Sequence, residues 1–131
     1  MESSYRLRKY VGGVVHAVDI AVRVEPFGHD EVAVSDEAFD WRREVYGQNA
    51  VSGGPADQQM VVEAVEGVRY VLVRSGGSGG RLVTVTRICD TPADTCVGDV
   101  KFAAVAATCQ ALGVELDRPP FIDASRVVFP G

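Results

Sequence analysis

The sequence predicts an α+β fold: a single sheet with two helices packed on the same face. Three observations carry this. From Val14 a long stretch alternates with period two, Val14, Val18, Ile20, Val22 and Val24 on one parity and Asp19, Arg23 and Glu25 on the other. From Pro55 the apolar residues Val61, Ala64, Val65, Val68, Val71 and Leu72 follow helical spacing. A second helical pattern, over about 96–112, places Val100, Ala103, Ala104, Ala107 and Ala111 on one side. A strand with one apolar face needs one cover, so both helices are expected over the even-numbered face from Val14 to Val24.

The elements follow in order. Residues 1–11 read as a polar N-terminal arm. The first strand ends at a turn, Pro26-Phe27-Gly28-His29-Asp30, and Glu31–Val34 is a short apolar run suited to pair back as a hairpin partner. Residues 36–47 read in two ways. Asp36 can cap a short helix carrying Ala38, Trp41 and Val45, or Phe39, Trp41 and Val45 alternate as a strand, which the pattern favours. After a loop, Pro55 opens the first long helix, since proline suits the first turn, and Gly76 stops it. Gly67 in its middle marks close packing, because glycine there costs about 1 kcal/mol relative to alanine. Leu82–Ile88 is a second core strand. Thr91-Pro92-Ala93-Asp94 has capping-box form, with the helix settling near Asp99 and ending at Gly113. Residues 114–131 read as an extension in which Val127-Val128-Phe129 forms an edge strand.

Composition bounds the function. With 47% hydrophobic and 24% charged residues the chain is globular, and a net charge of −5 disfavours unspecific binding to nucleic acid or anionic membrane. The N-terminal residues lack an apolar stretch behind their charges, so a cytoplasmic protein is expected. Cys89, Cys96 and Cys109, an odd set without C-x-x-C spacing, are expected to be reduced, and with two histidines they form no zinc motif.

Candidate chemistry is thin. Gly76-Gly77-Ser78-Gly79-Gly80 fits G-x-S-x-G, but the nucleophile elbow needs strand, turn, helix, and here the order is helix, loop, strand. No phosphate-binding glycine motif is present, so no nucleotide and no cofactor is expected. Asp90, Asp94 and Asp99, with Thr91 and Thr95, read as helix-capping residues, the alternative being a Mg²⁺ cluster. No catalytic residue and no metal ligand is assigned. Arg74 and Arg81 bracket the glycine loop, and His16 falls on the apolar parity of the first strand.

In order, three stretches resemble domain IV of translational GTPases of the elongation factor G class. Gly12-Gly13 precedes a long strand closing on Val24-Glu25-Pro26. Ala64–Leu72, which reads A-x-x-G-x-x-x-x-L, resembles that domain's first helix. Val83-Thr84-Val85-Thr86, an acidic turn and Asp99–Ala104 resemble that domain's closing strand and helix. The likeness spans residues 12–113. It implies a four-stranded sheet with two helices on one face and a left-handed βαβ crossover. Together with the missing nucleophile–base constellation it implies a non-enzymatic binding role, associated with translation or the ribosome, for which Gly12, Gly13, His16, Arg74 and Arg81 are the candidate binding residues. The family's charged tip loop, Gly-Gly-Arg-Gly-Gln, is replaced by Val14-Val15-His16 after the glycine pair, so nucleic-acid binding is expected to be weak at best. The alternatives are a protein interaction module unrelated to translation, or a small enzyme built from Asp90, Asp94, His16 and arginines.

Overall fold

The computed structural model describes residues 1–76 and 79–131. Strands β1 (Glu2–Val11) and β2 (Val14–Phe27) form an antiparallel hairpin around Gly12 and Gly13. Both glycines have positive φ, 57° and 82°, as the tightest hairpin turns require. Strand β3 (Glu31–Val34) leads through helix α1 (Trp41–Tyr46) and helix α2 (Pro55–Ser75) to strand β4 (Gly80–Asp90). β4 pairs antiparallel with β2 and parallel with β3, giving the order β1-β2-β4-β3. Helix α3 (Asp99–Leu112) and a separate hairpin, β5 (Phe121–Asp123) and β6 (Arg126–Val128), complete the chain.

Both long helices lie on the same face, as the alternation of β2 requires. Val18, Ile20 and Val22 are buried in one core with Ala64 and Val68 of α2 and Val100, Ala103 and Ala107 of α3. β4 reaches the same core through Val83, Val85 and Ile88, whose spacing breaks period two. A bulge resolves this. Ala21 pairs with Arg87 and Val22 with Val85, so Thr86 is the extra residue and restores Ile88 to the helix side. The close packing expected at Gly67 is present: a Cβ there would lie 2.6 Å from the Lys101 carbonyl oxygen and 2.8 Å from Ala104 Cβ.

Five expectations are corrected. Residues 1–11 are not an arm but edge strand β1, paired with β2 along its whole length. Only Tyr5 and Leu7 supply large apolar groups to the core, too few to show as alternation, while Arg6 and Arg8 guard the open edge. Glu31–Val34 pairs with β4 in parallel rather than folding back on β2. The stretch that favoured a strand contains α1, whose buried Trp41 donates its indole N–H to the Ile88 carbonyl at 2.6 Å. Residues 114–131 are no mere extension, since Ile122, Val127 and Phe129 pack on the main core. The Thr91–Asp94 segment is a turn, Asp94 N–H to Thr91 O at 2.8 Å, and α3 begins at Asp99. Among the described residues no helix is long and apolar enough to cross a membrane.

Candidate functional site

The five residues that the sequence grouped do not come together. Phe27, at the end of β2, pairs with Gly80, so Arg74 and Arg81 lie at one end of the sheet. Gly12, Gly13 and His16 lie at the other, roughly 40 Å away along an extended strand. Arg81 is engaged within the fold: its guanidinium donates to Asp30 at 3.2 and 3.3 Å and to the Ser75 hydroxyl at 3.2 Å. The Arg81 hydrogen bond, against some burial, holds the Asp30 carboxyl below its ordinary pKa. Arg74 lies over the Tyr70 ring, 3.6 Å from its centroid, beside a cavity of about 230 Å³ that Arg118 and Pro130 also line. Ser78 of the glycine loop lies outside the described residues.

The hairpin end holds the denser chemistry. Past the end of its pairing with β4, β2 is met by the chain that continues toward α3. The Ala17 N–H donates to the Asp94 carbonyl at 3.2 Å, and the Thr95 hydroxyl donates to the Ala17 carbonyl. That register sets Cys96 beside His16 and starts α3 at Asp99. His16 and Asp99 are fully buried and Cys96 is partly exposed. His16 Nδ1 donates to Asp99 Oδ1 at 2.6 Å and Nε2 to the Ala124 carbonyl at 2.7 Å. Asp99 Oδ2 accepts the Cys96 N–H at 2.7 Å, and the Cys96 thiol donates to the Val15 carbonyl at 3.2 Å. Both partners of the imidazole are acceptors, which favours a charge on the ring, since a neutral ring carries one N–H. Burial opposes that charge, but the Ala124 carbonyl and the hydrogen bond and charge of Asp99 outweigh it and raise the pKa.

This arrangement is not a nucleophile and base. Both His16 nitrogens are committed. Burial, then the charges of Asp99 and Asp94, push the Cys96 thiol up, the reverse of an activated cysteine. The three aspartates read as one capping group are also separated in role. Only Asp99 belongs to the first turn of α3. Asp90 accepts from Arg42 at 3.0 Å, and Arg42 holds the buried Asp57 through two bonds of 2.7 and 2.8 Å. The start of α3 is instead satisfied by Glu63 of α2, which accepts the N–H groups of Gly98 and Lys101 at 3.1 and 3.3 Å.

The sequence reading missed two features. One is the meeting of His16, Cys96 and Asp99, whose members lie up to 83 positions apart. Only the histidine on an apolar parity hinted at it. The other is an apolar groove of about 350 Å³ between α3 and the chain that follows it, lined by Phe102, Val105, Ala106, Leu116, Pro119 and Pro120 among others. Compared with family models and with curated proteins, the chain matches none.

Proposed function

We propose that the chain is a non-catalytic binding domain with the architecture of elongation factor G domain IV, and that it takes an apolar anchor of a protein partner into the groove beside α3. The groove is the observation that carries this reading. Its volume is at the lower end for ligand sites and suits one or two large side chains. Glu115 is the charged residue on its lining, and the chain carries a net charge of −5. Both favour a partner segment whose apolar anchor is flanked by lysine or arginine. The four-stranded sheet and the parallel β3–α2–β4 crossover support the domain-IV likeness, the crossover being left-handed on that reading. The distance between the glycine hairpin and Arg74, and the engagement of Arg81 by Asp30, speak for a protein partner over ribosomal RNA.

Selection of random displayed peptides against the purified protein tests this. Enriched peptides are expected to share an apolar anchor with basic flanks and to bind about tenfold more weakly to Ala106→Arg, which fills and repels at the groove. Peptides indifferent to that change would refute the groove. In parallel, ribosomes are expected to bind no better than the ~10⁻⁴–10⁻⁶ M of unspecific contacts. Submicromolar ribosome binding lost in an Arg74→Ala, Arg81→Ala double variant would replace this reading with a ribosomal one.

A further inference from the structure

We propose that His16, Cys96 and Asp99 form a binding site for a divalent transition metal, with zinc the best match to the donors. One imidazole nitrogen, one sulfur and one carboxylate oxygen lie within 4.8 Å of one another, brought together from β2, the β4–α3 segment and the first turn of α3. Mixed nitrogen, sulfur and oxygen donors suit zinc and its neighbours, whereas Mg²⁺ and Ca²⁺ take oxygen. Three protein ligands leave one position of a tetrahedron open, and the partly exposed Cys96 gives the route in.

The supporting shell has the form that metal sites use. A metal-bound histidine typically donates its remote N–H to a carbonyl or carboxylate, which fixes ring and tautomer. His16 Nε2 does this to the Ala124 carbonyl at 2.7 Å, leaving Nδ1 aimed at Asp99. Asp99 Oδ2 is anchored by the Cys96 N–H, leaving Oδ1 for the ion. Bonds of about 2.0–2.2 Å to a tetrahedral ion set nitrogen and oxygen roughly 3.4 Å apart. Nδ1 and Oδ1 now stand 2.6 Å apart and the three donors lie within 4.8 Å of one another, so the metal is admitted when the pair opens by less than about 1 Å and the thiol gives up its bond to the Val15 carbonyl and moves in by about 1 Å. His16 and Asp99 are both fully buried, so an ion held between Nδ1 and Oδ1 would be shielded from water. A divalent ion takes the place of the Nδ1 proton, and the thiol loses its own proton to become the ligand. The bound ion would tie β2 to the start of α3, and through Ala124 to the β5–β6 hairpin.

The test is titration of the metal-free full chain with Co²⁺, followed by absorption, with Zn²⁺ then added as competitor. A thiolate-to-cobalt band in the near ultraviolet and intense tetrahedral bands in the visible are expected, both abolished by Zn²⁺. Cys96→Ser keeps a hydroxyl donor for the Val15 carbonyl, so it retains the fold by circular dichroism, yet it should lose the near-ultraviolet band. Cys89→Ser and Cys109→Ser should keep it, and Asp99→Asn should bind about tenfold or more weakly. A wild-type chain without the band, or a Cys96→Ser variant that keeps it, would overturn the proposal and leave the triplet as a proton-held ion pair.

Discussion

Gly67→Ala is expected to destabilise the protein, although alanine is the better helix former. At an unobstructed helix position the change adds about 1 kcal/mol of stability. Here the added methyl would stand 2.6 Å from the Lys101 carbonyl oxygen and 2.8 Å from Ala104 Cβ. Neither atom can rotate away, since one is backbone and the other is fixed to it, so α2 and α3 must separate. Overpacking of this kind costs about 1–3 kcal/mol. Moving the helices also disturbs Val68 and Ala103, which are fully buried at the same seam. With both contacts under 3.0 Å the cost lies in the upper half of that range, about 2–3 kcal/mol, so after the helix-propensity gain the net expectation is a loss of about 1–2 kcal/mol, a fall in Tm of roughly 3–8 °C for a chain of this size. Urea denaturation with a thermal scan measures both. Because the nearest atom is the carbonyl oxygen, trimming Ala104 in a Gly67→Ala, Ala104→Gly double variant should restore less than half of the loss. A single variant as stable as the parent would show that the helices do not approach as closely as described.

Arg42→Met leaves Asp57 and Asp90 without their cation and is expected to cost about 3 kcal/mol by urea denaturation. The Asp57 carboxyl is held below its ordinary pKa of 3.8, first by the Arg42 hydrogen bond, against burial, with the Gly53 N–H adding to it. Its contribution is therefore complete above that ordinary value and is lost as pH falls through the lower folded value. The urea midpoint should drop as pH falls below that ordinary value, and less steeply in Asp57→Asn. The buried Thr108 hydroxyl has no hydrogen-bond partner among the described residues, so Thr108→Val should be neutral or stabilising by up to about 1 kcal/mol in the same assay. Deleting residues 119–131 removes the packing of Ile122, Val127 and Phe129 and the acceptor of His16 Nε2. It should cost at least about 3 kcal/mol, at roughly 1 kcal/mol per half-buried side chain, and a cost below about 1 kcal/mol would show the tail to be dispensable.

Strong one-sided patterns were legible in the sequence. Helix α2 runs from Pro55 to Ser75, where proline and Gly76 mark its ends, and the even-numbered apolar residues of β2 are buried in one core with residues of both helices. Pairing was not legible, because it is a tertiary choice. Glu31–Val34 has strand composition whichever neighbour it takes, and it takes β4. β1 was hidden because an edge strand covered along part of one face needs few apolar residues. Ser3 and Lys9 occupy helix-facing positions, where Ser3 donates to Gln110 at 2.9 Å and the Lys9 ammonium lies 5.8 Å from the centre of the Phe102 ring. α1 was misread because six residues hold too little periodicity to separate a helix from a strand, and because Trp41 points inward in either form.

The site was less legible than the fold for a related reason. Grouping residues by glycine loops and basic flanks joined two ends of the sheet that the 14 residues of β2 hold apart. What brings chemistry together instead is the continuation of the chain after β4 alongside β2, through Asp94 and Thr95 to Ala17. That contact depends on where β4 stops pairing, which the bulge at Thr86 shifts by one residue, and no local motif encodes it. The tail adds a second long-range element. Gly12 must lack a side chain because a Cβ there would lie 2.9 Å from Ala124 Cβ, and it is Ala124 whose carbonyl receives His16. The glycine that marks the hairpin in the sequence thus also makes room for the segment that closes the His16–Asp99 pair. A substitution at Gly12 therefore acts on that pair through the tail as well as on the hairpin turn.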